Sequence, residues 1–90
     1  MLVLSPHFKK AYKKFVSKFP QYQEQIDSAI QLLEINIFDS KLRTHKFSGN
    51  LLGCYACSCG FNCRIVFTME EYQNEKVVLL VTIGSHDEVY

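Results

Sequence analysis

Val77-Val78-Leu79-Leu80-Val81-Thr82-Ile83-Gly84-Ser85-His86-Asp87-Glu88-Val89-Tyr90 is the stretch on which the fold turns. Its run of Val, Ile and Leu reads as a strand buried on both faces, the central strand of a sheet. Thr82 is the one polar residue before the glycine. A rigid strand fixes whatever follows it, and small domains place binding or catalytic groups at such ends. His86 is the side chain there that exchanges a proton near neutral pH without a perturbed pKa.

Working outward, the 90 residues make a single domain over 1–90, near the lower size limit for one unstapled hydrophobic core. A hydrophobic fraction of 48% supports that core and argues against disorder. No segment approaches the roughly 20 apolar residues that span a bilayer. The opening Met1-Leu2-Val3-Leu4-Ser5-Pro6 is too short an apolar run for a signal peptide, so a cytoplasmic protein with no membrane partner is expected.

In that compartment Cys54, Cys57, Cys59 and Cys63 are expected to be reduced thiols, not a disulfide framework. Their C-x2-C-x-C-x3-C spacing invites comparison with a zinc knuckle, but a second ligand cluster is missing. A strand of small buried cysteines is the competing reading. No metal or other cofactor is assigned.

Ser5 followed by Pro6 marks a helix start, with Ser as N-cap and Pro in the first turn. Phe8, Tyr12, Phe15, Val16 and Phe19 follow at helical spacing, and Pro20 ends the segment. A second helix covers residues 21–35, with Ile26, Ala29, Ile30 and Leu33 on one face, so the two form an antiparallel hairpin. Residues 36–50 are irregular and polar. Residues 51–59 and 63–68 form a β-hairpin turning at Gly60-Phe61-Asn62, and the acidic stretch 69–76 is a polar turn into the last strand. With Leu2-Leu4 as a short first strand, the expected fold is α+β: a two-helix antiparallel hairpin packed on a mostly antiparallel sheet in the order β-α-α-β-β-β.

The net charge of +1 hides an asymmetry. Lys9, Lys10, Lys13, Lys14 and Lys18 lack acidic neighbours, Lys41, Arg43 and Lys46 form a second basic cluster, and the last third is acidic. A local basic face attracts phosphate whatever the total charge, although a lysine-rich helix is equally an ordinary solvated one. Strand alternation puts Ile65 and Phe67 on the helix side and Arg64 opposite, near Ser58. An arginine in so apolar a strand must meet a carboxylate, with Asp87 or Glu88 as the partner, line a cleft, or contact a ligand phosphate.

Taken together, these pieces resemble the RelE/ParE superfamily of type II toxins, most closely its RelE and YafQ branch of mRNA interferases. The resemblance covers nearly the whole chain. It is carried by the element order, by His45-Lys46-Phe47-Ser48-Gly49, by Leu51-Leu52-Gly53-Cys54-Tyr55, by Cys63-Arg64-Ile65-Val66-Phe67 and by Gly84-Ser85-His86-Asp87-Glu88-Val89-Tyr90.

What it implies is an endoribonuclease that cleaves mRNA on the ribosome, stops translation and growth, and is neutralised by a cognate antitoxin. His86, Arg64, Tyr90 and His45 are then the catalytic set: Arg64 on the phosphate, the histidines as acid or base, and Tyr90 stacking on a base or donating its hydroxyl. Lys46, Ser58, Asn62 and Arg43 bind substrate. The chain departs from its relatives at Ala56 and Ser58, where RelE-type chains carry lysines and YafQ-like chains carry Asp and His. It departs again at Asn62, where YafQ-like chains have an aspartate, so the catalytic set is thinner than in either group. Two alternatives stand beside this reading: a ParE-like toxin that binds and inhibits DNA gyrase, and a small zinc-binding interaction domain.

Overall fold

The computed structural model describes residues 1–47 and 53–89. The expectations placed on Ser48, Gly49, Leu51, Leu52 and Tyr90 therefore lie outside the described residues.

Strand β1 (Leu2–Leu4) leads into helix α1 (Pro6–Lys18). The Ser5 hydroxyl accepts the Phe8 N–H at 3.0 Å with Pro6 in the first turn, so the cap is the one the sequence dictates. A 3-10 turn at Pro20–Tyr22 reverses the chain into α2 (Gln23–Ile35). Strands β2 (His45–Lys46), β3 (Tyr55–Gly60), β4 (Cys63–Tyr72) and β5 (Glu75–Gly84) follow, and a single helical turn, α3 (His86–Val89), comes last.

The strands lie in the order β1-β5-β4-β3-β2. Among the described strands β1 on β5 is the parallel pair, and the other three pairings are antiparallel. The α+β class, the helical hairpin and the mostly antiparallel sheet are as the sequence predicts.

Several details differ. The middle strand is β4, with β5 one place out and screened by β1. The polar stretch before residue 47 contains β2, a two-residue strand paired with Ala56 and Tyr55. The acidic stretch 69–76 is mostly strand: β4 and β5 pair out to Tyr72 and Glu75, and the turn is only Gln73-Asn74. Both turn residues have left-handed φ, 50° and 64°, as a tight hairpin turn of matching twist needs.

The cysteines also depart from expectation. Cys59 and Cys63 are joined in a disulfide, while Cys54 and Cys57 are buried free thiols. The irregularity between Ser58 and Gly60 pairs Gly60 with Cys63 and brings the Cys59 and Cys63 Cα atoms to 5.0 Å across the hairpin end.

Two apolar clusters sandwich the sheet. Phe8, Phe15, Ile26 and Leu33 of the helices meet Cys57, Ile65, Phe67, Leu80 and Ile83 on one side. On the other side Phe47, Cys54, Ala56 and Val66 form a smaller cluster that Val81 and Val89 join. A register shift between Val66 and Phe67, opposite Val81, lets both Leu80 and Ile83 face the helices although they are three residues apart. The apolar run of β5 thus serves both clusters.

Candidate functional site

Directly paired residues of a sheet share a face, so the register sorts the candidate side chains. His45 pairs with Ala56, Ala56 with Val66, and Val66 with Thr82, forming one row across four strands. Ser58, Arg64 and Gly84 form the next row. Cys57, next to Ser58, and Ile65, next to Arg64, belong to the helix-side core, which puts both rows on the face away from the helices. His45, Ser58 and Arg64 are therefore brought to one face: strand alternation predicts this for Ser58 and Arg64, while His45 joins them through β2, which reads in the sequence as an irregular loop. Lys46 pairs with Tyr55, which packs into the helix-side cluster, so the register turns it to the opposite face from His45.

Arg64 is half-buried, and its Nη1 donates to the carbonyls of Cys63 at 2.8 Å and Gly60 at 3.2 Å. No carboxylate among the described residues pairs with it, so the ion pair with Asp87 or Glu88 is not how this charge is accommodated. The guanidinium is instead clamped to the tip of the β3–β4 hairpin, and the Cys59–Cys63 bridge closes that tip. Ser58 Oγ donates to the Gly60 carbonyl at 3.1 Å, bracing the same turn.

His86 is mounted by Ser85-His86-Asp87-Glu88. The Ser85 N–H donates to Glu88 Oε1 at 2.9 Å and the Glu88 N–H donates to Ser85 Oγ at 3.2 Å, a reciprocal capping box. Hydrogen bonding to the carboxylate, from the Ser85 backbone N–H first and the Ser85 hydroxyl second, holds the Glu88 carboxyl below its ordinary pKa. The His86 N–H donates to Asn62 Oδ1 at 3.0 Å. Asn62, expected to bind substrate, thus uses its acceptor oxygen to tie the β3–β4 turn to α3.

At Gly84 a β-carbon would lie 3.2 Å from Glu88 Cβ and 3.3 Å from Val89 Cγ1, so the missing side chain lets α3 fold down onto the sheet. The His86 ring stays 56% exposed, with Nδ1 at 3.7 Å from Asp87 Oδ1. His45 Nδ1 lies 3.0 Å from the Arg43 carbonyl, which orients its ring.

A cavity of about 780 Å³ lies between the β3–β4 hairpin end and helix α2, which lines it with Glu24, Gln25, Ser28, Ala29 and Leu32. Lys41, Arg43 and Arg64 give it positive charge, Ser58 and Phe61 line it, and Glu24 is its acid. Arg43, Ser58 and Arg64 were all singled out in the sequence, while Lys41 was noted only for its charge and Phe61 only as a turn residue. The signal for Phe61 was available: glycine, asparagine or aspartate usually occupies such a turn, and an aromatic ring there has no core to join. A second cavity, of about 570 Å³, is lined by Lys10, Lys14 and Lys18 of α1, with Glu88 and Val89 opposite.

The cysteines do not make a zinc site. Two sulfurs are consumed by the bridge, and burial pushes the Cys57 thiol up to about 12. Cys54 belongs to the cluster on the other face of the sheet. No group of three or more metal-ligating side chains forms among the described residues.

Comparison with protein families matches residues 1–90 to the family described as a bacterial toxin of type II toxin-antitoxin systems, YafQ. The chain belongs to the YafQ family. The fold of this YafQ-family toxin is also that of solved relatives. YafQ from Escherichia coli BL21(DE3) superposes with a TM-score of 0.80 at 13% identity, over 100% of this chain and 97% of that one. A metal-bound toxin from Helicobacter pylori gives 0.76 at 21% identity, over 100% and 98%. A YoeB/ParE toxin from Agrobacterium tumefaciens gives 0.74 at 15% identity, over 94% and 97%. A search of curated proteins found no match. As a YafQ-family member the protein is the toxin of a type II toxin-antitoxin system.

Proposed function

We propose that this toxin is a metal-independent endoribonuclease that cleaves mRNA on the ribosome, in the cytoplasm, with residues 1–90 acting as one catalytic domain. The observation that carries the reading is the row Ser58–Arg64–Gly84: it sets a clamped arginine one strand from the end of β5, where Ser85 and Asn62 mount His86. Family membership supports the same chemistry.

Cleavage within RNA needs a base for a 2′-hydroxyl, an acid for the departing 5′-oxygen and positive charge at the phosphate between them. The 2′-oxygen forms its bond to phosphorus as the bond to the 5′-oxygen breaks, leaving a 2′,3′-cyclic phosphate and a 5′-hydroxyl. His86 and His45 are the groups suited to the two proton transfers, one taking the 2′ proton and the other supplying the leaving oxygen. Arg64, held by two carbonyls through Nη1, presents the rest of its planar fork to the phosphate. Ser58 and Arg43 position the strand, Asn62 positions His86, and Lys46 contributes field from the far side of β2. Tyr90 would stack on a base or donate its hydroxyl.

The partner is a cognate antitoxin. E. coli YafQ in complex with DinJ, with a TM-score of 0.78 at 14% identity over 100% of this chain and 97% of that one, supports that assignment.

Induced expression in a bacterium with mapping of RNA 5′ ends tests the reading. New 5′ ends within translated messages are expected, unaffected by chelators in the purified reaction, and His86→Ala should lose most of the cleavage and the growth arrest. Arrest with intact messages and damaged DNA would instead identify a gyrase-binding toxin.

A further inference from the structure

Phe61 is 94% exposed, the most solvent-open of the large apolar side chains among the described residues. It sits at the tip of the β3–β4 hairpin, in a turn of only Phe61 and Asn62. Scattered exposed hydrophobes are ordinary, but this one is mounted with unusual rigidity. The Cys59–Cys63 bridge closes the turn around it. The carbonyl of Gly60 before it is held by Arg64 and Ser58, and the side chain of Asn62 after it is bonded to the His86 N–H. The ring therefore projects from the piece of backbone that joins the arginine to the histidine. It also borders the groove that holds Lys41 and Arg43.

We infer that Phe61 is a stacking platform for one base of the RNA substrate beside the scissile bond, with Lys41 and Arg43 contacting the phosphates of that nucleotide. The inference rests on the nuclease reading and adds a subsite to it. Single-stranded RNA is held by this combination of an open aromatic face and flanking cations, because every base has a stacking surface and every linkage a charge. A protein partner would be expected to bury the ring among other apolar groups. The groove that Phe61 borders does hold apolar Ala29, Leu32 and Leu42, but its cations Lys41, Arg43 and Arg64 outnumber its acid Glu24, and that balance favours a polyanion.

The test uses ribosome-bound mRNA carrying a single abasic nucleotide at each position around the mapped cut. For the wild type, one abasic position should slow cleavage about tenfold, the loss of one stacked base. Phe61→Ala should slow cleavage of intact mRNA by about the same factor, mainly through KM, and should lose nothing further on the abasic message. Phe61→Trp should restore the rate, and both variants should melt with the wild type, since the ring contributes no buried surface. Independent, multiplying losses, or a rate indifferent to Phe61, would overturn the subsite while leaving the nuclease reading intact. Normal cleavage by Phe61→Ala together with escape from the antitoxin would assign the ring to the protein interface instead. Absence of cleavage by the wild type under any condition would remove both readings together.

Discussion

Asn62 and His86, 24 residues apart in the chain, are joined by a hydrogen bond from the His86 N–H to Asn62 Oδ1 at 3.0 Å. The residue whose amide cannot serve as a base therefore takes a different part in the site: it fixes where the histidine's helical turn begins. Asn62→Ala should lower the cleavage rate constant roughly ten- to a hundredfold with little change in KM, because displacing a reacting group by about an ångström costs that much. Asn62→Asp keeps an acceptor oxygen and should stay near wild type. Single-turnover cleavage of the two variants, side by side, distinguishes positioning from substrate binding.

Arg64 is anchored as well as charged. Arg64→Lys keeps the charge but has no planar fork to hold two carbonyls and a phosphate at once. Arg64→Ala should reduce kcat by roughly 10²–10³, the usual loss when a group facing developing transition-state charge is removed. Arg64→Lys should recover only part of it. A lysine variant with full activity would show that charge alone suffices.

Glu88 gives the site a pH dependence that can be worked out in sign. Its folded pKa lies below the ordinary carboxylate value, so its share of stability is present above about pH 4.3 and is lost as pH falls through the folded value. Since the carboxylate is largely solvent-exposed, the share is small, no more than about 1 kcal/mol. Urea denaturation between pH 3 and pH 6 should show a steeper acid loss for wild type than for Glu88→Gln. Equal slopes would mean that the capping box does not hold.

Gly60 occupies a backbone conformation with φ of 143°, and a β-carbon there would lie 2.7 Å from Tyr22 Cε1. Strain and collision with an aromatic ring packed against Phe15 and Phe19 act together. Gly60→Ala should cost about 2 kcal/mol or more, measured as a lower urea midpoint at unchanged slope. It should also loosen the turn that holds Arg64, so activity should fall with stability.

Local signals read well in this sequence. Ser5-Pro6 specified the α1 cap, helical spacing separated α1 from α2, and alternation placed Arg64 near Ser58, on the face away from Ile65 and Phe67. Strand β2 was invisible, because two residues carry no period and owe their pairing to β3. The far arms of β4 and β5 read as a turn because both faces there are wet: residues 70–76 are exposed throughout, so polar residues occur without alternation. Gln73-Asn74 adopts left-handed turn geometry without a glycine to announce it. In the site, the strand row carrying Arg64 was legible, whereas the Asn62–His86 bond was not, since it depends on α3 folding back over Gly84. The Cys59–Cys63 bridge escaped because a reducing compartment argued for four free thiols, whereas the hairpin irregularity places these two sulfurs in bonding range.

The place of β5 between β1 and β4 has a consequence for how the protein is made. Strand β1 leaves the ribosome before β5, its one neighbour among the described strands, and α1 packs chiefly against that same later strand. Neither can settle while β5 is still being synthesised, since pairing across the length of the chain must wait for both partners. The nascent toxin therefore stays without its β1–β5 core, and without the mount for His86, until translation has passed β5. Production of the protein and the onset of its activity are separated by the order of its strands.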